Sequence, residues 1–321
     1  AYAESISAAD DHPARQQKIV NLKRIDFMVP DRHTLPALEK YSQLVFPDGN
    51  RRIMGFTETT RGCKHLCRHC PVVPVYNGRF YAIPADIVLE DIRQQIAKGA
   101  QHISFGDPDF LNGPLHAKRV IEAMHQEFPA LTYDAVIKIE HLINYPDYLA
   151  FLRDTGCILV TTAVESVDDR ILEFLDKGHS AVEFEQVVSL MKQHDIALAP
   201  TFIPFTPWTT VSNYIDLLNK IAELKLIMSV NPVQLSLRLL IPSGSRILEL
   251  PKEETCITDF NPAALGYTWV HRDSAVDALQ VNIRNWTEQA ESEGLSRLDI
   301  FNGIRRIALN AAGRNDKDVT E

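Results

Sequence analysis

Between residues 53 and 241 the chain alternates short apolar runs with amphipathic stretches, and this alternation restricts its fold more than any other feature. Residues 53–60, Ile-Met-Gly-Phe-Thr-Glu-Thr-Thr, read as a strand rich in β-formers, and Pro84-Ala85-Asp86 opens a helix through Lys98 that Gly99 closes. Residues 102–105, 131–139, 158–164, 196–202 and 233–241 read as five further strands. Helical periodicity fills 115–128, 147–154, 170–175, 182–194 and 212–224 between them. Six strand-then-helix units in succession demand a parallel sheet, because each helix carries the chain back to start the next strand on the same side. Doubly wound and barrel forms both satisfy this rule. Six units with short connections suit an incomplete barrel, whose catalytic residues should follow the C-terminal ends of the strands.

The expected architecture is therefore α/β: a partial (β/α)6 TIM-like barrel over 52–250, an N-terminal extension over 1–51 and a C-terminal helical region over 251–321. The extension is mixed and charged, as in Asp10-Asp11-His12, with weak periodicity. The C-terminal region holds two expected helices, 274–291 and 298–312, placed to cover the open side. No internal repeat or linker composition divides the chain, so one main domain is favoured.

Composition narrows the function. With 33 Lys plus Arg against 42 Asp plus Glu, the net charge of -9 argues against a general electrostatic grip on nucleic acid. A small-molecule substrate fits better. The longest uncharged stretch, 196–215, is interrupted by Pro200, Pro204 and Pro207, which excludes it as a membrane span. Five cysteines, three within eight residues, suit metal ligation rather than a disulfide framework, and imply a reducing cytoplasm.

Those three lie in Gly62-Cys63-Lys64-His65-Leu66-Cys67-Arg68-His69-Cys70, a C-x3-C-x2-C spacing directly after the first expected strand. A loop this tight can direct three sulfurs at one centre. Soft thiolates select iron–sulfur clusters or zinc, and three ligands on a four-iron cluster leave one iron open. A structural Cys3His zinc site with His65 or His69 as fourth ligand is the plainer alternative. A fourth thiolate from Cys157 or Cys256 would instead give a closed, electron-carrying cluster.

In this setting the motif resembles the signature of the radical S-adenosylmethionine superfamily, which carries C-x3-C-x2-C in the loop after the first strand of a partial (β/α)6 barrel. The resemblance spans about 52–250. It implies a 4Fe–4S cluster on Cys63, Cys67 and Cys70, with the amino and carboxylate groups of S-adenosylmethionine on the fourth iron. His69 stands where many members carry an aromatic residue beside the adenine. Gly106-Asp107-Pro108-Asp109 is similar to the family's Gly-Gly-Glu-Pro segment, which receives the cofactor's ammonium group. Glu165 and Ser166 match its Gly-x-Glu-Ser segment, which meets the ribose and methionine moieties. An electron donor such as flavodoxin or ferredoxin is implied as partner.

Other residues have weaker assignments. Lys138, Glu140 and His141 follow the third expected strand, at the barrel mouth, where charged groups suggest cofactor contact. Arg238 interrupts an apolar run and needs an anionic partner, either the cofactor's carboxylate or an internal acid. Thr201, Phe205, Thr206 and Trp208 are candidates for a substrate pocket or for ordinary core, and Asp168 for a helix cap. The runs 106–114, 138–141, 163–169 and 205–210 resemble a radical S-adenosylmethionine subgroup whose members end in Cys-Cys-Ala-Glu-Pro or its selenocysteine equivalent. This chain ends Val319-Thr320-Glu321 without that tail. The implied chemistry is reductive cleavage of S-adenosylmethionine to a 5′-deoxyadenosyl radical acting on a small molecule. The alternatives are 3-amino-3-carboxypropyl transfer to a soft acceptor such as arsenic or selenium, and a non-catalytic zinc-stabilised protein or electron carrier.

Overall fold

A computed structural model describes residues 26–314, so the charged segment at 10–18 and the final Val319-Thr320-Glu321 lie outside the described residues. In chain order the elements are β1 (Gln43–Val45), β2 (Arg51–Thr57), β3 (Thr60–Gly62), α1 (Val73–Tyr76), β4 (Phe80–Ala82), α2 (Ala85–Ala97), β5 (His102–Phe105), α3 (Pro114–Glu127), β6 (Thr132–Val136), α4 (Ile139–Asn144), α5 (Pro146–Asp154) and β7 (Cys157–Glu165). There follow α6 (Asp169–Leu175), α7 (Ala181–Gln193), β8 (Ala197–Phe202), α8 (Val211–Glu223), β9 (Ile241–Pro242), α9 (Lys252–Thr255), β10 (Ile257–Asn261), β11 (Gly266–Trp269), α10 (Ser274–Ser292) and α11 (Arg297–Ala311).

The main sheet runs β1-β2-β5-β6-β7-β8. Its last five strands are parallel and neighbour one another in sequence order. Right-handed crossovers between successive neighbours put α2, α3, α5, α7 and α8 on one face, so the sheet curls into a half-barrel instead of being wound on both sides. Ile103, Phe105, Tyr133, Ala135 and Val160 from that face share one buried core with Val88, Ile92, Val120, Leu152, Val187 and Leu218 of the helices. The alternate residues, among them Met54, Phe56, Ser104 and Asp134, point to the concave side, as the two-residue period of a strand requires. Burying each large side chain of that core stabilises by roughly 1.5–3 kcal/mol.

Four expectations are corrected. The 53–60 strand breaks at Glu58, and Thr60–Gly62 turns away to pair antiparallel with β4. The cause is the carboxylate of Asp107, which accepts the N–H groups and hydroxyls of both Thr59 and Thr60 and draws this backbone off the sheet. The 131–139 strand ends at Val136 and passes into α4.

The 233–241 strand is a 3₁₀ turn over Pro232–Ser236, started by Pro232 and capped by the Asn231 side chain. The side-chain oxygen of Gln234 accepts the Phe202 N–H of β8, taking the place of a sixth strand's backbone. Only one bridge, Phe205 to Arg238, survives of the sixth strand, and Ile241–Pro242 joins a separate sheet with β10 and β11. The expected extension also supplies a strand, β1, antiparallel on the outer edge of β2.

The expected C-terminal helices are present as α10 and α11, and Val276, Ile283, Ile300 and Ile304 complete the main core. They pack on each other, on α8 and on the 232–236 turn. No described helix is long and apolar enough to cross a membrane.

Candidate functional site

The cysteine loop begins where Gly62 adopts φ +90, a conformation that places an added Cβ within 2.5 Å of the Arg79 carbonyl. Only glycine meets both demands. Asn112, fully inside the protein, clamps the start of the loop: its side-chain NH2 donates to the Gly62 carbonyl and its oxygen accepts the Lys64 N–H. The middle is held from two distant elements. Arg68 donates its backbone N–H to the Leu175 carbonyl, and its guanidinium donates to the carbonyls of Glu173 and Phe174 at the C-terminal end of α6. A cation at that end also meets the negative pole of the helix. Ser245 donates to the Arg68 carbonyl and Arg246 to the Leu66 carbonyl.

Cys63 and Cys67 are buried and Cys70 is half-buried, and all three are free thiols. Burial pushes the Cys63 thiol up to about 11, with the nearby charges of Asp109, Cys67 and Cys70 adding to it. Cys70 is raised for the same first reason, and Cys67 adds to it. Cys63 and Cys70 thus hold their protons until a metal displaces them. Three soft donors within one tight loop, with no disulfide among them, fit an iron–sulfur cluster with one open iron.

The loop's two histidines are drawn to carboxylates of the barrel mouth. His69 Nε2 lies 3.1 Å from Glu165 Oε1, both buried. Glu165 ends β7 in the left-handed region at φ 67, and its carboxylate also pairs with Lys177 at 3.4 Å. Burial alone would raise this carboxyl. Lys177 and His69 outweigh it and hold the group at about 2. His65 lies against Asp109 at 3.4 Å and Glu140 at 3.6 Å.

His69, Glu165, Asp109, Lys138 and Glu140 therefore gather at one mouth. Lys138 pairs with Glu140 at 3.2 Å, and its N–H approaches Asp109 at 3.4 Å. His141 reaches the same Asp109. Ser166 accepts the Asp168 N–H, and Asp168 caps α6 through the N–H groups of Arg170 and Ile171. Gly106 leaves β5 with a hydrogen bond to the Thr57 carbonyl, and Asp107 is spent on Thr59 and Thr60. Pro108 carries the chain on to Asp109.

Arg238 stands apart from this group. It pairs with Asp277 of α10 at 2.5 Å, donates to the Trp269 carbonyl and stacks over the Trp269 ring, so its anionic partner in the structure is the internal acid. Phe205 is buried against Tyr214, and Trp208 stacks on Phe174 at 4.4 Å, so both serve as packing. Thr206 is bonded to Thr209, and Thr201 reaches the Thr162 carbonyl.

Two residues of the mouth escaped the sequence reading. Lys177 and His179 flank Gly178, whose φ of +72 turns the chain back towards Glu140. Burial, with Lys177 and Lys138 nearby, lowers His179 to about 4 and keeps it neutral. The signal available was the Lys-Gly-His turn directly after the capped α6.

The half-barrel and the three-thiol loop at its mouth define a cluster-bearing enzyme of the (β/α) type. The profile described as Radical SAM superfamily matches residues 57–224, over half of the chain, and the chain belongs to that superfamily. As a radical SAM enzyme it uses a 4Fe–4S cluster and S-adenosylmethionine. Among its curated relatives, the tRNA-2-methylthio-N(6)-dimethylallyladenosine synthase of Aliivibrio fischeri (strain MJ11) is 23% identical over 232 residues, 69% of this chain and 48% of that protein. The synthase of the same name from Haemophilus influenzae (strain PittEE) is 24% identical over 207 residues, covering 61% and 43%. The chain thus spans about half the length of the curated relatives it matches. The structure of the cobalamin-dependent S-adenosylmethionine radical enzyme OxsB with aqua-cobalamin bound superposes with a TM-score of 0.63, at 14% identity, over 74% of this chain and 41% of that one. That likeness speaks for the fold.

Proposed function

We propose that the protein cleaves S-adenosylmethionine reductively and uses the fragment on a small molecule held on the concave face of the half-barrel. When bound, the cluster would supply the electron for reductive cleavage of a carbon–sulfur bond of S-adenosylmethionine, the chemistry that would provide a 5′-deoxyadenosyl radical for abstraction of a substrate hydrogen. Cys63, Cys67 and Cys70 would hold the cluster. The backbone of Gly106, Asp107 and Pro108 would receive the cofactor's ammonium group, with Asp107 bracing that turn through Thr59 and Thr60 rather than touching the ligand. His69 and Glu165, tied together, would border the adenine and ribose, with Ser166 beside them.

Lys138 and Glu140 would lie at the edge of the same cofactor site. The barrel over 52–250 would be the catalytic unit, with 1–51 and 251–321 as its flanks. Met54 and Phe56 give the concave face an apolar floor, and Asp134, oriented by Ser104 at 2.9 Å and His102 at 2.8 Å, gives it one fixed carboxylate. A flavodoxin or ferredoxin would deliver the electron.

The observation that carries this reading is the three-thiol loop, fixed from Asn112, α6 and residues 245–246 beside the His69–Glu165–Lys177 group. The test is anaerobic reconstitution with iron and sulfide, addition of dithionite and S-adenosylmethionine, and identification of the nucleoside by mass spectrometry. 5′-Deoxyadenosine supports the proposal. Methylthioadenosine would replace it with 3-amino-3-carboxypropyl transfer, and a fully loaded protein that releases neither would sink it.

A further inference from the structure

We infer that His65, Asp109 and His141 form a binding site for a single divalent metal ion of the zinc or ferrous class, separate from the three cysteines. Their ligand atoms all lie within 4.8 Å of one another. His65 Nε2 is 3.4 Å from Asp109 Oδ2, and His141 Nδ1 is 2.9 Å from the same oxygen. Metal bonds of about 2.0–2.1 Å at tetrahedral to octahedral angles set neighbouring donors roughly 2.9–3.4 Å apart, so both pairs already have the required spacing.

The hydrogen bonding supports a ligand at this point. Asp109 is fully buried, and the cost of desolvating a carboxylate calls for strong partners. Yet Asp109 Oδ2 and His65 Nε2 are both buried and neither makes a hydrogen bond of acceptable geometry, although they face each other. His141 Nδ1 also lies 3.1 Å from the other oxygen, Oδ1, a hydrogen bond that gives way when this nitrogen ligates the ion. One cation between Oδ2 and the two imidazoles would serve both orphaned atoms at once.

The surroundings have the form of an outer shell. A metal-bound imidazole commonly donates its second N–H to a carboxylate. His65 Nδ1 lies 3.6 Å from Glu140 Oε2, and Glu140 is steadied in turn by Lys138. Two imidazoles and one carboxylate are a donor set for zinc, iron or manganese, and three protein ligands leave coordination positions open for water or a substrate heteroatom. The ion would also tie the cysteine loop, through His65, to the β5–α3 turn and to α4.

The competing possibility is an Asp109 that simply bridges two histidines. The deciding experiment uses the full chain with Cys63→Ala, Cys67→Ala and Cys70→Ala together, which removes both the cluster and any thiolate zinc. After stripping with chelator, zinc is titrated and retained metal counted by elemental analysis. One zinc per chain is expected, with His141→Ala or Asp109→Asn in that background abolishing retention, and Glu140→Gln weakening affinity by roughly 10-fold as an outer-shell change.

The same count on cluster-loaded wild-type protein should show one zinc in addition to the cluster iron, which covers the case in which the triple variant folds poorly. A triple variant with wild-type circular dichroism and unfolding temperature that retains no zinc would overturn the site. So would zinc retention unaffected by His141→Ala. Because no cluster is needed, failure here is distinct from failure of the radical reading.

Discussion

Glu165 Oε1 stands 3.1 Å from His69 Nε2, joining the last residue of a barrel strand to the cysteine loop across 96 positions of sequence. The carboxylate is buried, and Lys177 and His69 hold it at about 2 against the opposing effect of burial. A carboxyl lowered in the folded state adds stability above its unfolded value of about 4.5 and loses it as pH falls towards 2. Wild-type protein should therefore lose on the order of 3 kcal/mol of unfolding free energy across that window from this group. Glu165→Gln should be less stable at pH 7 and show a flatter profile between pH 4.5 and 2 in urea titrations. A variant profile parallel to wild type would place the acid sensitivity elsewhere.

Gly62→Ala tests the entry to the loop. A side chain there must accept φ +90 and a contact 2.5 Å from a backbone oxygen, so the loop start has to move. The cost should be roughly 1–3 kcal/mol, with a matching drop in iron bound per chain after reconstitution. Unchanged iron content and unchanged unfolding would show that Cys63 tolerates a shifted approach.

Cys157→Ala and Cys256→Ala should each retain the cluster's visible absorbance, whereas Cys63→Ala should lose it. Cys157 is buried in β7, donates weakly to the Leu159 carbonyl, and burial pushes its thiol up to about 12. A thiol of that kind is structural. Cluster loss in either of the first two variants would restore the closed, four-thiolate alternative.

Arg246→Ala removes the donor to the Leu66 carbonyl and the pairing with Glu249. Stability should fall by about 1 kcal/mol, since the guanidinium is partly exposed and its ion pair is worth little. Hydrogen exchange at the loop amides should rise more than that small loss implies, because the effect is local. Equal exchange in variant and wild type would show that the other anchors, Ser245, Asn112 and α6, secure the loop without Arg246.

Much of the fold was legible because periodicity and punctuation agreed: the α2 segment between Pro84 and Gly99 and the strand at His102–Phe105 both appear where the sequence put them. The misreadings share a physical origin in side chains that compete with backbone. Asp107 takes the amides that would extend β2, and Gln234 takes the β8 amide that a sixth strand would need. An apolar alternation over 233–241 shows neither contact, because both partners are distant in sequence. At the site, the three cysteines announced themselves by spacing, and His69 with Glu165 by resemblance. Lys177 and His179 did not, since a Lys-Gly-His turn reads as solvated until the fold buries it. Arg238 was legible only as needing an anion, and Asp277 of α10 is that anion.

The clasp of Ser245 and Arg246 on the carbonyls of Arg68 and Leu66 spans 177 and 180 positions. During synthesis the cysteines leave the ribosome long before the residues that fix their loop, and well before Asn112 and α6 have each emerged. The cradle is therefore finished only after residues 245 and 246 have emerged. Iron and sulfide delivered earlier would meet thiols on a loop held only in part, so cluster insertion should follow the emergence of residues 245–246, and a truncation before residue 245 should carry its cysteines without a fully fixed place for the metal.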